Sequence, residues 1–330
     1  MSLSPHARRI ATAATGALAA SLAVALPATA STTTPSVSYT FKRLDNSNDL
    51  SFNQLLGINN YGLIAGYFGS GLQGHKNKGY LLKSPYRQTD YVVENFPTSA
   101  QTQVTGLNSL TGSSLVTVGF FSHTNKANPG ANANFGFYKL AGHYHEVVFP
   151  AGQAPSGKFT PNVDQLLGVN NSGEAVGFYL DSHGNSRGYL FNVHTHKFVS
   201  AFPGATLRSA VSLTASGINN NGDVTGFFSL STGPIRSFLV TRTGQVKILA
   251  FPGADATQAF GLNDHREVVG AYAIGGKSFG FTWTPGGGFK TVSDPAGIGT
   301  TFINGVNNAG DLVGFYTDAK NNTHGMLAIP

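Results

Sequence analysis

The stretch GINNNGDVTGFF, residues 217–228, sets three asparagines between a glycine and a pair of aromatic rings. It has close relatives elsewhere in the chain. GINNYGLIAGYF occupies residues 57–68, GVNNSGEAVGFY residues 168–179 and GVNNAGDLVGFY residues 305–316. Two looser copies begin at Gly106-Leu107-Asn108, leading to Val118-Gly119-Phe120-Phe121, and at Gly261-Leu262-Asn263-Asp264, leading to Val269-Gly270-Ala271-Tyr272. The six starts lie 49, 62, 49, 44 and 44 residues apart. A period in this range marks an array of supersecondary units rather than one irregular domain.

Each unit carries two further recurrent elements. A short aromatic strand follows the aromatic pair: residues 79–82, 136–138, 188–191, 237–240, 278–281 and 325–327. A strand closing on proline comes next, ending at Pro97, Pro150, Pro203, Pro252 and Pro295. These runs are short, rich in Val, Ile, Phe and Tyr, and separated by Gly, Asn or Pro, so no helix is expected after the N-terminal segment. Four strands per unit and six units predict an all-β, six-bladed β-propeller of four-stranded antiparallel blades. The last unit stops after its third strand, while residues 37–44 (VSYTFKRL) form an orphan strand at the other end. Pairing that N-terminal strand into the last blade closes the ring and protects its edges. An open solenoid is the rival fold, and it has no use for such a strand.

Composition agrees. The chain has 330 residues, 41% hydrophobic and only 11% charged, with 42 Gly, 24 Phe and 12 Tyr. Low charge with many aromatics suits a turn-rich β protein and excludes a disordered chain. There is no cysteine, so thiol catalysis and Cys-based zinc sites are excluded, and closure must do what disulfides do elsewhere. Residues 1–30 read as a signal peptide: Arg8-Arg9, an apolar stretch from Ile10 to Leu26, then Ala28-Thr29-Ala30 with cleavage expected after Ala30. Residues 31–36 are a Ser/Thr/Pro-rich linker and residues 37–330 the propeller. Loss of the two arginines lowers the net charge from +6 to +4. The expected localisation is extracellular, with no integral membrane association and a monomeric state.

The hairpins Gly-x-Asn-Asn-x-Gly and the third-strand starts Arg187-Gly188-Tyr189 and His324-Gly325-Met326 resemble the extracellular HAF-repeat family. The resemblance covers nearly the whole mature chain, although no copy is literally His-Ala-Phe. It implies a secreted repeat protein and carries no agreed catalytic residues.

Asparagine between the first two strands has a plain backbone reading. It tolerates left-handed φ and bonds its own turn, and the glycine two or three positions later takes positive φ freely. The functional alternative makes Asn59, Asn108, Asn170, Asn219, Asn263 and Asn307 a ring of ligands at one mouth of the channel, although six amides without carboxylates suit a hard cation poorly. The fifth unit departs from the pattern, with Arg266 where glycine is expected.

On the opposite face the third strands start with Lys78, Phe135, Arg187, Arg236, Lys277 and His324. Repeated cations on one rim would attract an anionic glycan; packed stems with local acidic partners are the plain alternative. Ligand binding is therefore assigned to Lys78, Arg187, Arg236, Lys277 and His324. Asp164 and Asp255 are candidate acid and base for glycan cleavage, while Asp181 and Asp318 belong in hairpin turns. His143-Tyr144-His145 and His194-Thr195-His196 are candidate metal pairs in outer turns, each lacking a third ligand. The run Gly69-Ser70-Gly71-Leu72-Gln73-Gly74 matches a dinucleotide fingerprint by letters, but a strand, not a helix, follows it. No cofactor is expected, and no nucleic-acid partner, since no basic cluster is interleaved with exposed aromatics. Two long insertions, Ser122 to Asn134 and Ala151 to Asp164, are further places for binding function. The expected role is binding or scaffolding outside the cell, with an extracellular glycan or cell-envelope polymer as partner. A polysaccharide lyase or glycoside hydrolase and a purely structural envelope protein are the alternatives, and the balance leans away from an enzyme.

Overall fold

The computed structural model describes residues 38–123, 133–150, 163–199 and 205–330. The signal segment, the linker and most of both insertions lie outside the described residues. The chain opens with β1 (Thr40–Arg43). The first blade is β2 (Asn53–Ile58), β3 (Ile64–Phe68), β4 (Lys78–Leu82) and β5 (Tyr91–Val93). The second is β6 (Ser99–Leu107), β7 (Val116–His123), β8 (Phe135–Leu140) and β9 (His143–Val147). The third is β10 (Asp164–Val169), β11 (Glu174–Leu180), β12 (Ser186–Asn192) and β13 (Lys197–Val199). A four-residue helix, α1 (Ala205–Arg208), leads into the fourth blade: β14 (Ser212–Ile218), β15 (Val224–Ser229), β16 (Arg236–Val240) and β17 (Val246–Leu249). The fifth is β18 (Ala256–Leu262), β19 (Val268–Ile274), β20 (Lys277–Thr284) and β21 (Gly288–Val292). The sixth joins β22 (Thr301–Val306), β23 (Leu312–Thr317) and β24 (Thr323–Ile329) to β1.

The six sheets are four-stranded and antiparallel, and β1 pairs with β24 from Thr40 opposite Ile329 to Arg43 opposite Met326. The expected closure is therefore present. Among the described residues three short helical turns were not expected: 3-10 turns at Gln88–Asp90 and Gly112–Ser114, and α1, a single turn too short to stand alone and held by Leu207, buried in the fourth blade's core.

Each apolar cluster spans one interface between neighbouring blades. Val176 of the third blade packs with Leu213, Ala215 and Phe238 of the fourth, and Val313 and Leu327 of the sixth pack with Leu55 and Tyr80 of the first. The core is thus a circle of sheet-on-sheet contacts, each blade serving two of them.

At the axis the inner strands meet through glycine. A Cβ on Gly57 would lie 3.2 Å from Gly106 Cα, one on Gly106 3.2 Å from Gly168 Cα, and one on Gly168 3.3 Å from Gly217 Cα. The series continues through Gly261 and Gly305 and returns to Gly57 at 3.1 Å. Six glycines therefore form a closed ring of backbone contacts that no side chain could enter. Each follows a β-bulge, at Leu56, Thr105, Leu167, Ser216, Phe260 and Asn304. The bulge turns an inner-strand carbonyl toward the second strand, which answers with its own glycine: a Cβ on Gly177 would stand 2.0 Å from Gln165 O.

The far end of the closure is held by His324, 1% exposed. Its Nδ1 lies 2.8 Å from Asp45 Oδ2 and its Nε2 3.0 Å from Asp318 Oδ2. Asp45 also accepts the Gly325 N–H at 2.9 Å and pairs with Arg43. The hydrogen bond to His324, with those from the Asn322 and Lys320 backbone, holds the Asp318 carboxyl well below the usual carboxylate range.

Substituting the axial ring should be costly. In Gly261→Ala the new Cβ would stand 2.8 Å from Asn304 O, and a loss of about 1–3 kcal/mol of unfolding free energy is expected. Gly286→Ala, with nothing within 4 Å, should change it by less than about 0.5 kcal/mol. Denaturant titration of both variants checks the difference.

Candidate functional site

The asparagines are turn residues and more. Asn170 Oδ1 accepts the N–H groups of Ser172 and Glu174, both at 3.0 Å. Its Nδ2 donates to Glu174 Oε2 at 2.9 Å and, across the blade boundary, to Asn219 O at 3.1 Å. Both acceptor and both donor positions of the amide are filled. Asn263 repeats the arrangement with His265, Glu267 and Asn307. The inter-blade link also joins Asn59 to Asn108, Asn219 to Asn263 and Asn307 to Asn59. Asn108 differs, since its Nδ2 bonds Ser114 O within its own longer turn. A second ring lies beside the first: the backbone N–H of Asn60, Ser109, Asn171, Asn220, Asp264 and Asn308 each reaches the side-chain oxygen of the next, back to Asn60. The turn reading of these amides therefore holds over the ion-ligand alternative, and their polar atoms also join the blades. Arg266 takes φ +62 where the other turns use glycine, and its Nε pairs with Asp223 Oδ2 of the fourth blade at 2.7 Å.

The axis holds an open pocket of about 80 Å³. Toward the asparagine face it is lined by Ile58, Leu107, Val169, Ile218, Leu262 and Val306. The bulge residues on the other side of the glycine ring alternate. Leu56, Leu167 and Phe260 are apolar; Thr105, Ser216 and Asn304 each donate to an inner-strand carbonyl of the following blade, Leu166, Ala259 and Leu55. Phe260 touches Phe227 and Phe302, with ring centroids 6.1 and 6.2 Å away.

The loop-face cations separate into two kinds. Arg187 pairs with Asp181 at 2.8 Å, and His324 with Asp318 and Asp45. Asp181 and Asp318 both sit in the turn between second and third strands, as expected, and both accept turn N–H groups on their Oδ1. The blades of Lys78 and Arg236 lack that aspartate, and among the described residues neither cation has an ion pair. Lys277 is out of register. Cross-strand pairing puts Phe279, opposite Tyr272, where the other blades have Lys78, Arg187, Arg236 and His324. Lys277 instead stands at the Gly275-Gly276 hairpin tip, exposed. The supposed rim of five equivalent cations is therefore corrected. Two are paired with aspartates within the fold, Lys78 lies on the first blade, and Arg236 and Lys277 lie on the fourth and fifth, across the ring.

Asp164 is sealed. It is 0% exposed, its Oδ1 receives the Tyr189 hydroxyl and its Oδ2 the Phe149 N–H at 2.6 Å. Burial raises its pKa to about 7. Thr102, Thr257 and Thr301 occupy the same position and accept the same kind of linker N–H, from Phe96, Phe251 and Asp294. The geometry gives Asp164 a backbone-capping role away from the mouth. Asp255 is exposed and accepts the Gly275 N–H at 3.1 Å.

His143 and His145 lie in β9 rather than in a turn, and His194 and His196 lie in the turn before β13. One histidine of each pair comes together: the rings of His145 and His196 are 6.3 Å apart, with Tyr138 stacked on His145. Among the described residues no group of three or more ligating side chains could hold a metal ion, and no helix is long and apolar enough to cross a membrane.

A second cavity, of about 240 Å³, opens where the ring closes. It lies between the segment after β1, residues 46–48, and the outer part of the first blade, with Lys78 in its wall. The sequence pointed to Lys78 alone, because the remaining wall comes from segments far apart in the chain.

No family model matches the chain, and no curated protein does, so the HAF-repeat likeness rests on the motifs alone. Solved structures share the fold. TolB from Acinetobacter baumannii matches with 12% identity over 73% of this chain and a TM-score of 0.51; the match spans 54%, about half, of that chain. AofleA from Arthrobotrys oligospora matches with 13% identity over 88% of this chain and 86% of that one, with a TM-score of 0.50. A streptogramin B lyase matches with 13% identity, 87% and 97% coverage and a TM-score of 0.46. Such identities show the fold alone. A lyase, an acylaminoacyl peptidase and a gluconolactonase are among the structures matched, at TM-scores of 0.46, 0.44 and 0.46; the lean away from an enzyme is corrected, because the fold by itself decides neither way.

Asn170→Ala should cost about 2–4 kcal/mol in denaturant unfolding, since it strips two turn N–H groups, one carboxylate and one inter-blade carbonyl of their partner. Asp164→Asn tests the buried acid. A carboxyl raised from 3.8 to about 7 adds stability in full below the lower value and loses it as pH rises toward the upper one. Wild-type stability should fall across that window by up to about 1.4 kcal/mol per pH unit. The asparagine variant should lack that component in denaturant titrations at successive pH.

Proposed function

We propose that this propeller works outside the cell on an anionic polysaccharide laid across its loop face, and that it cleaves the chain by elimination rather than by hydrolysis. The observation that carries the reading is the set of unneutralised loop-face cations, Lys78, Arg236 and Lys277, beside equivalents that the fold pairs with aspartates. A cation without a partner keeps its charge available to a ligand. Lys78 and the Arg236–Lys277 side belong to blades on opposite parts of the ring, a separation that suits a polymer better than a small anion.

The carboxylates favour elimination. Hydrolysis calls for two accessible carboxyl groups flanking the bond, whereas Asp164 is sealed, which removes one of the two carboxylates the sequence offered. Elimination beside a uronate carboxylate starts by neutralising that carboxylate, which acidifies the adjacent C–H, and a lysine or arginine supplies this. The C–H proton passes to water, its electron pair forms the C=C bond of the unsaturated product, the glycosidic C–O bond breaks, and the departing sugar oxygen takes a proton from solvent.

The test mixes the full mature chain with polygalacturonate, alginate and hyaluronan, reading unsaturated product by ultraviolet absorbance and retention on immobilised polymer. Product is expected, falling at least tenfold in Lys78→Met/Arg236→Met and persisting in Asp164→Asn. Retention without product overturns elimination and leaves a binding role; neither product nor retention overturns the reading.

A further inference from the structure

Exposed aliphatic side chains gather on one face of the ring. Among the described residues eight large hydrophobics are exposed, and five of them, Leu50, Leu72, Val211, Ile274 and Ile298, stand in linkers and hairpin ends on the loop face. The asparagine face has Tyr61, and the outer strand of the first blade has Val92 and Val93. A single exposed aliphatic side chain needs no explanation, but a contiguous row of them does.

Four of the five form such a row across blades five, six and one. Ile274 ends β19 and Lys277 opens β20. The linker into the sixth blade runs beside them: the Ser278 N–H donates to Gly299 O at 3.0 Å, and a Cβ on Gly299 would lie 3.1 Å from Lys277 Cγ. The same linker reaches the sixth blade's own hairpin, where the Ile298 N–H donates to Thr317 O at 2.9 Å. That hairpin carries Lys320, and it is bonded in turn to the linker of the first blade, Thr323 N–H to Ser51 O at 2.9 Å. The Gly69 N–H donates to Phe52 O at 2.9 Å, and His75 Nδ1 meets Asp49 Oδ2 at 2.8 Å. These two bonds hold the linker of Leu50 against the hairpin of Leu72 and Lys76. The row therefore reads Ile274, Lys277, Ile298, Lys320, Leu50, Leu72, Lys76.

The fold does not call for these side chains. Leu72, Ile298 and Leu50 are 69%, 64% and 56% exposed, and a hairpin of glycine, serine and glutamine turns without a leucine. Lys76, Lys277 and Lys320 are exposed, and no ion pair among the described residues involves them. Most carboxylates of the row are engaged within it. Asp49 accepts the Ser51 N–H and holds His75, Asp318 accepts the Lys320 and Asn322 N–H groups and holds His324, and Asp294 is buried. Asp255 is exposed and caps the Gly275 N–H. Aliphatic surface and positive charge thus face outward together.

This combination selects the partner. A second copy of the chain would set lysine against lysine, which disfavours association. Leucine and isoleucine offer no flat face to stack on a sugar ring. Aliphatic tips flanked by lysines match an anionic bilayer, where apolar side chains enter the boundary between headgroups and acyl chains and ammonium groups meet lipid phosphates.

We infer that the arc from Ile274 to Lys76 docks this propeller on an anionic phospholipid surface, with Leu50, Leu72 and Ile298 entering the headgroup boundary and Lys76, Lys277 and Lys320 on the phosphates. The docking stands apart from the polysaccharide reading and shares only Lys277 with it.

The experiment sediments the full mature chain with vesicles of phosphatidylcholine alone and of phosphatidylcholine mixed with phosphatidylglycerol. Binding to the mixed vesicles is expected, weakening as salt is raised, with at least tenfold less on phosphatidylcholine alone. Leu72→Gln/Ile298→Gln should keep the melting temperature of the parent, because both side chains are exposed, and lower the partition coefficient at least tenfold. Lys76→Gln/Lys320→Gln, which leaves the polymer cations intact, should remove the preference for the anionic vesicles. Tyr61→Gln, an equally exposed apolar residue on the other face, should bind as the parent does. Absence of binding to the mixed vesicles, unchanged binding in Leu72→Gln/Ile298→Gln, or an equal loss in Tyr61→Gln overturns the inference. So does a vesicle-free oligomer that Leu72→Gln/Ile298→Gln dissociates, since a second copy then covers the arc. Retention on polygalacturonate without vesicle binding overturns the docking and spares the polysaccharide reading.

Discussion

Backbone contact at the axis governs the rest of the structure. Six inner strands can approach this closely only where none carries a side chain, and Gly57, Gly106, Gly168, Gly217, Gly261 and Gly305 meet in a closed series. Each contact follows a bulge, and each bulge re-aims a carbonyl that the second strand must accommodate with a glycine of its own. Two of the most regular letters in the repeat thus have one cause. The apolar clusters, each shared by two blades, then fill the wedge that the axial spacing leaves.

Polar side chains follow the same circular logic. An asparagine that merely turned the chain would need only its oxygen. Here the nitrogen is used as well, so one residue type closes a hairpin and joins two blades. A similar local rule holds on the other face: a turn aspartate pairs with the side chain six residues later, as Asp181 does with Arg187 and Asp318 with His324. Blades without that aspartate leave their cation to the solvent or to a ligand.

The repeat made the fold legible because glycine and asparagine are demanded by backbone geometry, which leaves few substitutes. The number of blades, their four strands and the strand that closes the ring all follow from it. The site was less legible, for physical reasons. Lys277 was aligned by sequence with Lys78, yet the two-residue shift set by the Gly275-Gly276 tip is visible only in cross-strand pairing. Asp164 looks like an available acid until its position is compared with Thr102, Thr257 and Thr301, which do the same backbone work without charge.

The His324 contact also orders events in time. Asp45 and His324 are separated by 279 positions, so the contact between them forms only when the first strand meets nearly the last. Long-range pairing of this kind is slow. Until β24 is in place, β1 has no strand to pair with, and the apolar faces of the first and sixth blades cannot cover one another.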